Sequence, residues 1–214
     1  MSIYCRHTGR NVRFELPEID YQTLMQTLSG YAYPRDRVTK LLRSGELVRV
    51  KKGLYVTTDS RDWYSREVLA NLIYGPSYVS LEYALRYYGL IPEAVETVTS
   101  VTTQRRKQYD TPLGQFEYEH LPILLYAPGV CYTEVDARRG FLIASPEKAL
   151  IDTLAVRTPG LKPEEIGQHL FDNLRVDEAD FSRLNFSPLE AALGGRASPS
   201  VRSLFAYLAR RRSS

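Results

Sequence analysis

Residues 34–56 read PRDRVTKLLRSGELVRVKKGLYV, and their spacing decides how the amino-terminal part of the chain folds. Pro34 suits the first turn of a helix, where its missing N–H would have no intrahelical partner in any case. Val38, Leu41 and Leu42 fall at i, i+3 and i+4, which predicts one apolar stripe facing a core. Arg35, Arg37, Lys40 and Arg43 lie mostly off that stripe. Gly45 supplies a left-handed stop, with Arg43 beside the negative end of the helix. Leu47, Val48, Val50, Leu54, Tyr55 and Val56 then predict two strands around Lys51-Lys52-Gly53. A lone hairpin of this size is not stable in water. It must pack on the preceding helices, which would hold the basic helix and the basic turn on one surface.

A basic helix followed by a basic hairpin is the outline of a recognition helix and a wing. The major groove of B-DNA admits one helix, and arginine can bond the edge of guanine with two donors. Lysines on a turn can meet the flanking phosphates, which sets register without reading sequence. The expected DNA-binding residues are therefore Arg35, Arg37, Lys40 and Arg43 on the helix and Arg49, Lys51 and Lys52 on the hairpin.

Charge distribution agrees with that expectation better than net charge does. The 214 residues carry a net charge of only +3. Residues 1–60 hold ten Lys and Arg against six Asp and Glu, a net +4, and the rest holds eighteen against nineteen, a net −1. The whole excess lies with the helix and hairpin, an asymmetry that hints at a polyanionic partner. Composition is that of a soluble globular protein, 43% hydrophobic and 25% charged. Cys5 and Cys131 are too few and too far apart for a disulfide framework or a zinc site. The start of the chain, MSIYCRHTGR, lacks the apolar core of a signal peptide, and no apolar run approaches the roughly 18 residues of a membrane span. A cytoplasmic location follows as the expectation.

Further along, residues 1–16 look extended. Pro17 and EIDYQTLMQTL predict a first helix burying Ile19, Leu24 and Leu28, and the polar run Thr57-Thr58-Asp59-Ser60 marks the boundary between domains 1–58 and 59–214. The second domain should open with a helix over 64–73, then one begun by Ser80 as N-cap and ended at Gly89. On that second helix Tyr83, Tyr87 and Tyr88 form an aromatic stripe of the kind that is mostly core. ETVTSVTT and QFEYEH read as strands, with Leu113-Gly114 near a turn and Arg105-Arg106-Lys107 as a basic loop. CYTEV and GFLIAS read as two more around Asp136-Ala137-Arg138-Arg139. Ser145-Pro146-Glu147 starts a helix, and the remainder is helical over 163–173, 177–184, 188–193 and 199–212. The fold class expected is α+β: an N-terminal winged helix-turn-helix followed by a larger mixed α/β domain with a helical carboxyl-terminal end.

A nuclease is the enzymatic alternative. Glu117 and Glu119 lie two apart on a strand, with Glu147 and Lys148 downstream, and carboxylates near a lysine can hold Mg²⁺ and activate water. Alternating acids on a strand are more often solvent-facing, and Lys148 at a helix start needs only solvation. His7, His120 and His169 fit no ligand spacing. No phosphate-binding glycine loop or nucleophile elbow is present, so neither catalysis nor a cofactor is expected.

The phrase RVTKLLRSGELVRVKKGLYV resembles the winged helix-turn-helix of the AbiEi antitoxins of abortive-infection (type IV) toxin–antitoxin systems. Three later blocks, ANLIYGPSYVSLEYALRYYGLIPE, VTSVTTQRRKQYDTPLGQFEYEHLP and IASPEKALIDTL, are similar to that family in the same order, and the likeness spans roughly residues 13–155. The resemblance implies a repressor that binds inverted repeats in its own promoter, with Arg35, Arg37, Lys40 and Arg43 in the recognition helix and Arg49, Lys51 and Lys52 in the wing. It implies a second domain concerned with antitoxicity and cooperative DNA binding. It also implies a nucleotidyltransferase-like toxin as partner, with no stable complex required. The alternative reading is a protein-interaction module whose tyrosine-rich second domain grips a toxin or another protein.

Overall fold

A computed structural model describes residues 14–58 and 64–213 of the chain. The expected extended arm over residues 1–16 and the residues Cys5, His7, Asp59 and Ser60 lie wholly or largely outside the described residues. The fold is α+β, and the chain divides between Tyr64 and Ser65 into two compact units.

The first unit joins a three-stranded antiparallel sheet to two helices. Strand β1 is Glu18–Asp20, helix α1 is Tyr21–Thr27 and helix α2 is Pro34–Arg43, followed by strands β2 (Leu47–Lys51) and β3 (Leu54–Thr57). The strand order is β1-β3-β2. The expected first helix therefore loses its opening residues to a strand. Glu18, Ile19 and Asp20 pair with Val56, Tyr55 and Leu54, and the helix starts only where the Asp20 carboxylate accepts the Thr23 N–H at 2.7 Å. Ile19, Leu24 and Leu28 are buried all the same, in one cluster with Val38, Leu41, Leu47 and Tyr55. The strand period and the helix period happen to put these apolar residues on the same core, so burial was legible where the element was not. Besides the β1–β3 ladder, the Tyr21 N–H donates to the Gly53 carbonyl at 2.9 Å, the Thr57 N–H to the Pro17 carbonyl at 2.9 Å, and the Thr58 hydroxyl to the Gly45 carbonyl at 2.6 Å.

The second unit is built on a six-stranded mixed sheet. In chain order it contains α3 (Arg66–Ile73), β4 (Ser77–Val79), α4 (Leu81–Tyr87), β5 (Val98–Thr102), β6 (Lys107–Thr111), β7 (Gly114–His120) and α5 (Ile123–Tyr126). There follow β8 (Val130–Asp136), β9 (Arg139–Ala144), α6 (Pro146–Arg157) and α7 (Ile166–Gln168), which widens over His169–Asn173. The chain ends with α8 (Glu178–Ser182), α9 (Ser187–Leu193) and α10 (Pro199–Ser213). The sheet order is β6-β7-β5-β4-β9-β8, with β5–β7 and β4–β9 parallel and the other pairs antiparallel. Strand β5 is buried at every position, as suits a strand covered on both faces. Helix α6 is buried along an unbroken run from Lys148 to Leu154, the pattern of a helix enclosed on all sides.

Several expectations are corrected in this unit. Ser80 occupies the N-cap position of α4 but makes no capping bond. Its hydroxyl is taken by Asp152 at 2.7 Å, and the Thr99 hydroxyl instead accepts the Tyr83 N–H at 3.1 Å while donating to the Ser80 carbonyl at 2.7 Å. The tyrosines of α4 are not core: Leu81, Ala84 and Leu85 are buried, whereas Tyr87 is exposed and Tyr83 and Tyr88 are half-buried. The segment 163–173 opens with a turn, so its regular helix begins only at Ile166. Strand β6 begins at Lys107, within the stretch expected to be a basic loop, and β4 and α5 are too short to have left a periodic signal.

Candidate nucleic-acid interface

Helix α2 opens with Pro34 at its first position, carries Lys40 and Arg43 in its last turn and ends at Ser44 and Gly45. Gly45 has φ +76°, the left-handed stop expected there. Val38 and Leu41 are buried and Leu42 is half-buried, so the apolar stripe is anchored in the first unit. At about 100° per residue, Asp36, Lys40 and Arg43 share the face opposite that stripe. Arg35 and Arg37 flank the stripe, one on each side.

The seven expected residues therefore differ in availability. Arg35, Lys40, Arg43, Arg49 and Lys52 are exposed, while Arg37 and Lys51 are half-buried. The side chains of Arg35, Lys40, Arg43 and Lys52 form no ion pair among the described residues. Arg37 is committed inward. Its guanidinium lies 5.7 Å from the centre of the Tyr31 ring, and its Nε is buried without a hydrogen-bond partner among the described residues. Arg49 sits 5.7 Å over the ring of Tyr55, its register partner on β3. A bulge separates Arg49 from Lys51, and the turn closes on Gly53 at φ +88°. The first unit thus offers Lys40 and Arg43 on the outward face of α2, Arg35 at its start and Lys52 at the hairpin tip.

The charges of the second unit are arranged differently. Arg157 grips Glu82 with two bonds, at 2.8 and 3.2 Å, and Glu119 with a third at 2.8 Å. Arg106 reaches Glu117 at 2.8 Å and Glu119 at 3.2 Å. Burial, together with the hydrogen bond shared with neighbouring Glu117, pushes the Glu119 carboxyl up. Burial also opposes ionisation of Glu117, but its hydrogen bonds with Glu119 and Arg106 and the charge of Arg157 outweigh that and hold it low. Glu119 is 7% exposed, so the expectation of a solvent-facing acid is corrected: the carboxylate is enclosed by guanidinium groups.

Lys148, expected to be solvated, is wholly buried. It is ion-paired with Asp152, and its ammonium donates to the Leu125 carbonyl at 2.6 Å. The hydroxyls of Tyr78 and Ser80 complete the cluster, donating to Asp152 at 2.9 and 2.7 Å. Burial pushes the Asp152 carboxyl up, against the pull of Lys148 and of those hydroxyls. Glu147 points elsewhere, accepting from Ser145 at 3.0 Å and from the Asn185 N–H at 3.1 Å. Of the four residues of the nuclease alternative, Glu117 and Glu119 thus share Arg106, while Glu147 and Lys148 engage other partners. Among the described residues, no three His, Cys, Asp or Glu side chains are grouped to hold a metal ion. His120 bonds the Gln104 carbonyl at 3.0 Å, and burial lowers the imidazole of His169 below its usual range.

The basic cluster 105–107 is likewise divided. Arg105 is exposed, Arg106 is paired as above, and the Lys107 ammonium rests 5.4 Å from the ring centre of Tyr74 and 5.1 Å from that of Tyr109. No described helix is long and apolar enough to cross a membrane. Sequence reasoning missed the commitment of Arg37 and Arg49 to aromatic rings. The tyrosines concerned, Tyr31 and Tyr55, were visible, but the pairings depend on how the turn and strands come together. Set against known proteins, the chain matches no family model and no curated protein.

Proposed function

We propose that the chain is a non-catalytic, DNA-binding transcriptional repressor of the AbiEi antitoxin kind. Its first unit acts as a winged helix-turn-helix, with α2 as recognition helix and the β2–β3 hairpin as wing. One observation carries this reading: α2 buries Val38 and Leu41 on one face and presents Lys40 and Arg43 on the other, beside Asp36 but in no ion pair among the described residues. A cation left unpaired on an anchored helix is suited to an external anion, and a duplex supplies one at every phosphate. On this reading the protein works in the cytoplasm, needs no cofactor, and recognises inverted repeats upstream of its own coding region. A nucleotidyltransferase-like toxin is its functional partner without a stable complex.

The test is a mobility-shift titration with that upstream DNA. Replacing Lys40 and Arg43 together with alanine should abolish the specific shift and leave the circular dichroism spectrum unchanged. A double variant that binds like the parent would remove the assignment of α2.

The protein-interaction reading has its own observation. Ile123 and Leu124, adjacent on α5, are 68% and 57% exposed, which is unusual for neighbouring aliphatic residues. Stable co-purification with the product of the adjacent gene, lost in Ile123→Ser with Leu124→Ser, would favour it over the repressor reading.

A further inference from the structure

The start of α2 holds an aromatic side chain that the repressor reading leaves unused. Tyr33 immediately precedes Pro34 and is 75% exposed, the most exposed of the large apolar residues described. It occupies the N-cap position without making a capping bond, and its hydroxyl has no partner among the described residues. It borders a groove of about 380 Å³ lined by Met25, Ala32, Tyr33, Pro34, Arg35 and Asp36. A single exposed tyrosine is ordinary. This one is set apart by its place between an apolar groove and Arg35, and by a side chain that makes no hydrogen bond among the described residues.

We infer that Tyr33 and this groove form a thymine-reading subsite in the major groove of duplex DNA. The inference rests on the repressor reading and extends it to a side chain without charge. Charge complementarity identifies the occupant as a polyanion, because Arg35, Lys40 and Arg43 on the same helix form no ion pair among the described residues. Chemistry then identifies the feature read. In helix-turn-helix proteins the amino-terminal residues of the recognition helix reach the base edges. Among those edges, the thymine C5-methyl is the apolar one. The aromatic ring supplies the matching surface, and Arg35 is placed to take a neighbouring phosphate or guanine edge. The ring is also poised for the contact. A residue before proline is disfavoured in the helical region, and the backbone of Tyr33 stands at φ −132°, ψ 76°. Tyrosine has only two side-chain torsions to fix, so little freedom is lost on docking.

The experiment compares upstream DNA containing thymine with the same duplex containing deoxyuridine, which lacks only the methyl groups. The parent protein should bind the uracil duplex about fourfold more weakly for each methyl buried at Tyr33. Tyr33→Ala should bind the thymine duplex more weakly than the parent and should not distinguish the two duplexes. Its slope of log affinity against log salt should equal the parent's, because no phosphate contact is lost. Tyr33→Phe should behave like the parent. Equal binding of both duplexes by the parent, or continued discrimination by Tyr33→Ala, overturns the subsite. The Lys40→Ala, Arg43→Ala double variant separates the two claims. If it loses binding while the parent ignores the methyl groups, only the subsite falls. If it binds like the parent, or the parent binds no upstream DNA, the repressor reading falls and the subsite with it.

Discussion

Lys40 and Lys148 are both helical lysines, and they show how differently the two units use positive charge. Lys40 is exposed on α2 and has no counter-ion among the described residues; Lys148 is sealed in α6 against Asp152. The same contrast runs through the arginines. Arg35 and Arg43 in the first unit face outward, whereas Arg106 and Arg157 in the second are spent on Glu82, Glu117 and Glu119. A count of basic residues cannot separate these cases. What separates them is whether a carboxylate has been folded alongside. In the second unit these cations act in cohesion; in the first, Arg35, Lys40 and Arg43 form no ion pair among the described residues.

The sharpest way to break this contrast is Asp152→Asn. It strands the Lys148 ammonium in a fully buried site, and removing one partner of a buried pair costs about 3–5 kcal/mol. Urea unfolding should show that loss. A variant as stable as the parent would mean that the pair contributes no cohesion. Lys40→Ala should do the opposite, shifting stability by less than about 0.5 kcal/mol while weakening the DNA shift.

Arg157→Met comes next. Arg157 and Glu82 are each about a third exposed, so solvent screening reduces the cost to about 1–2 kcal/mol. The part due to Glu119 has a definite sign with pH. Its folded-state carboxyl is already pushed up, so ionisation there opposes folding at neutral pH, and losing Arg157 increases that opposition. The penalty should therefore be largest at neutral pH and should shrink as the pH falls through the raised value, from above toward the ordinary 4.5. An effect that grows on acidification would contradict the enclosure of Glu119.

A smaller effect belongs to His169. Burial lowers its folded-state value below 6.5, so the unfolded chain takes up the proton first. Stability should be complete above pH 6.5 and decline as the pH drops below it, and His169→Gln should flatten that decline. Smallest in stability is Lys52→Ala at the hairpin tip. It should leave the unfolding curve in place, weaken binding to all DNA sequences alike, and reduce the salt slope by about 0.9.

Much of the first unit was legible because its signals are local. Pro34, the 38-41-42 stripe and Gly45 are fixed by spacing within one helix, and α2 runs where they indicate. The two strands that follow were legible for the same reason. Elements that depend on distant partners were not. Glu18-Ile19-Asp20 carries a helical pattern but becomes a strand because β3 is there to pair with it. Ser80 has the chemistry of a cap and loses that role to a carboxylate 72 positions away. Lys148 reads as a surface residue until Asp152, one turn along, is seen to share its burial. The candidate site was legible as a set of residue types. Its division into outward cations and the ring-bound Arg37 and Arg49 was not, because that depends on where Tyr31 and Tyr55 come to lie.

The exchange of hydroxyls at the start of α4 has a consequence for how the second unit assembles. Its first turn borrows a partner from Thr99, on a strand made only after the helix itself has been synthesised. A fragment ending before residue 98 would carry the whole of α4 and yet lack the group that completes its opening. Such a fragment should show a frayed helix, restored when a peptide spanning β5 is supplied.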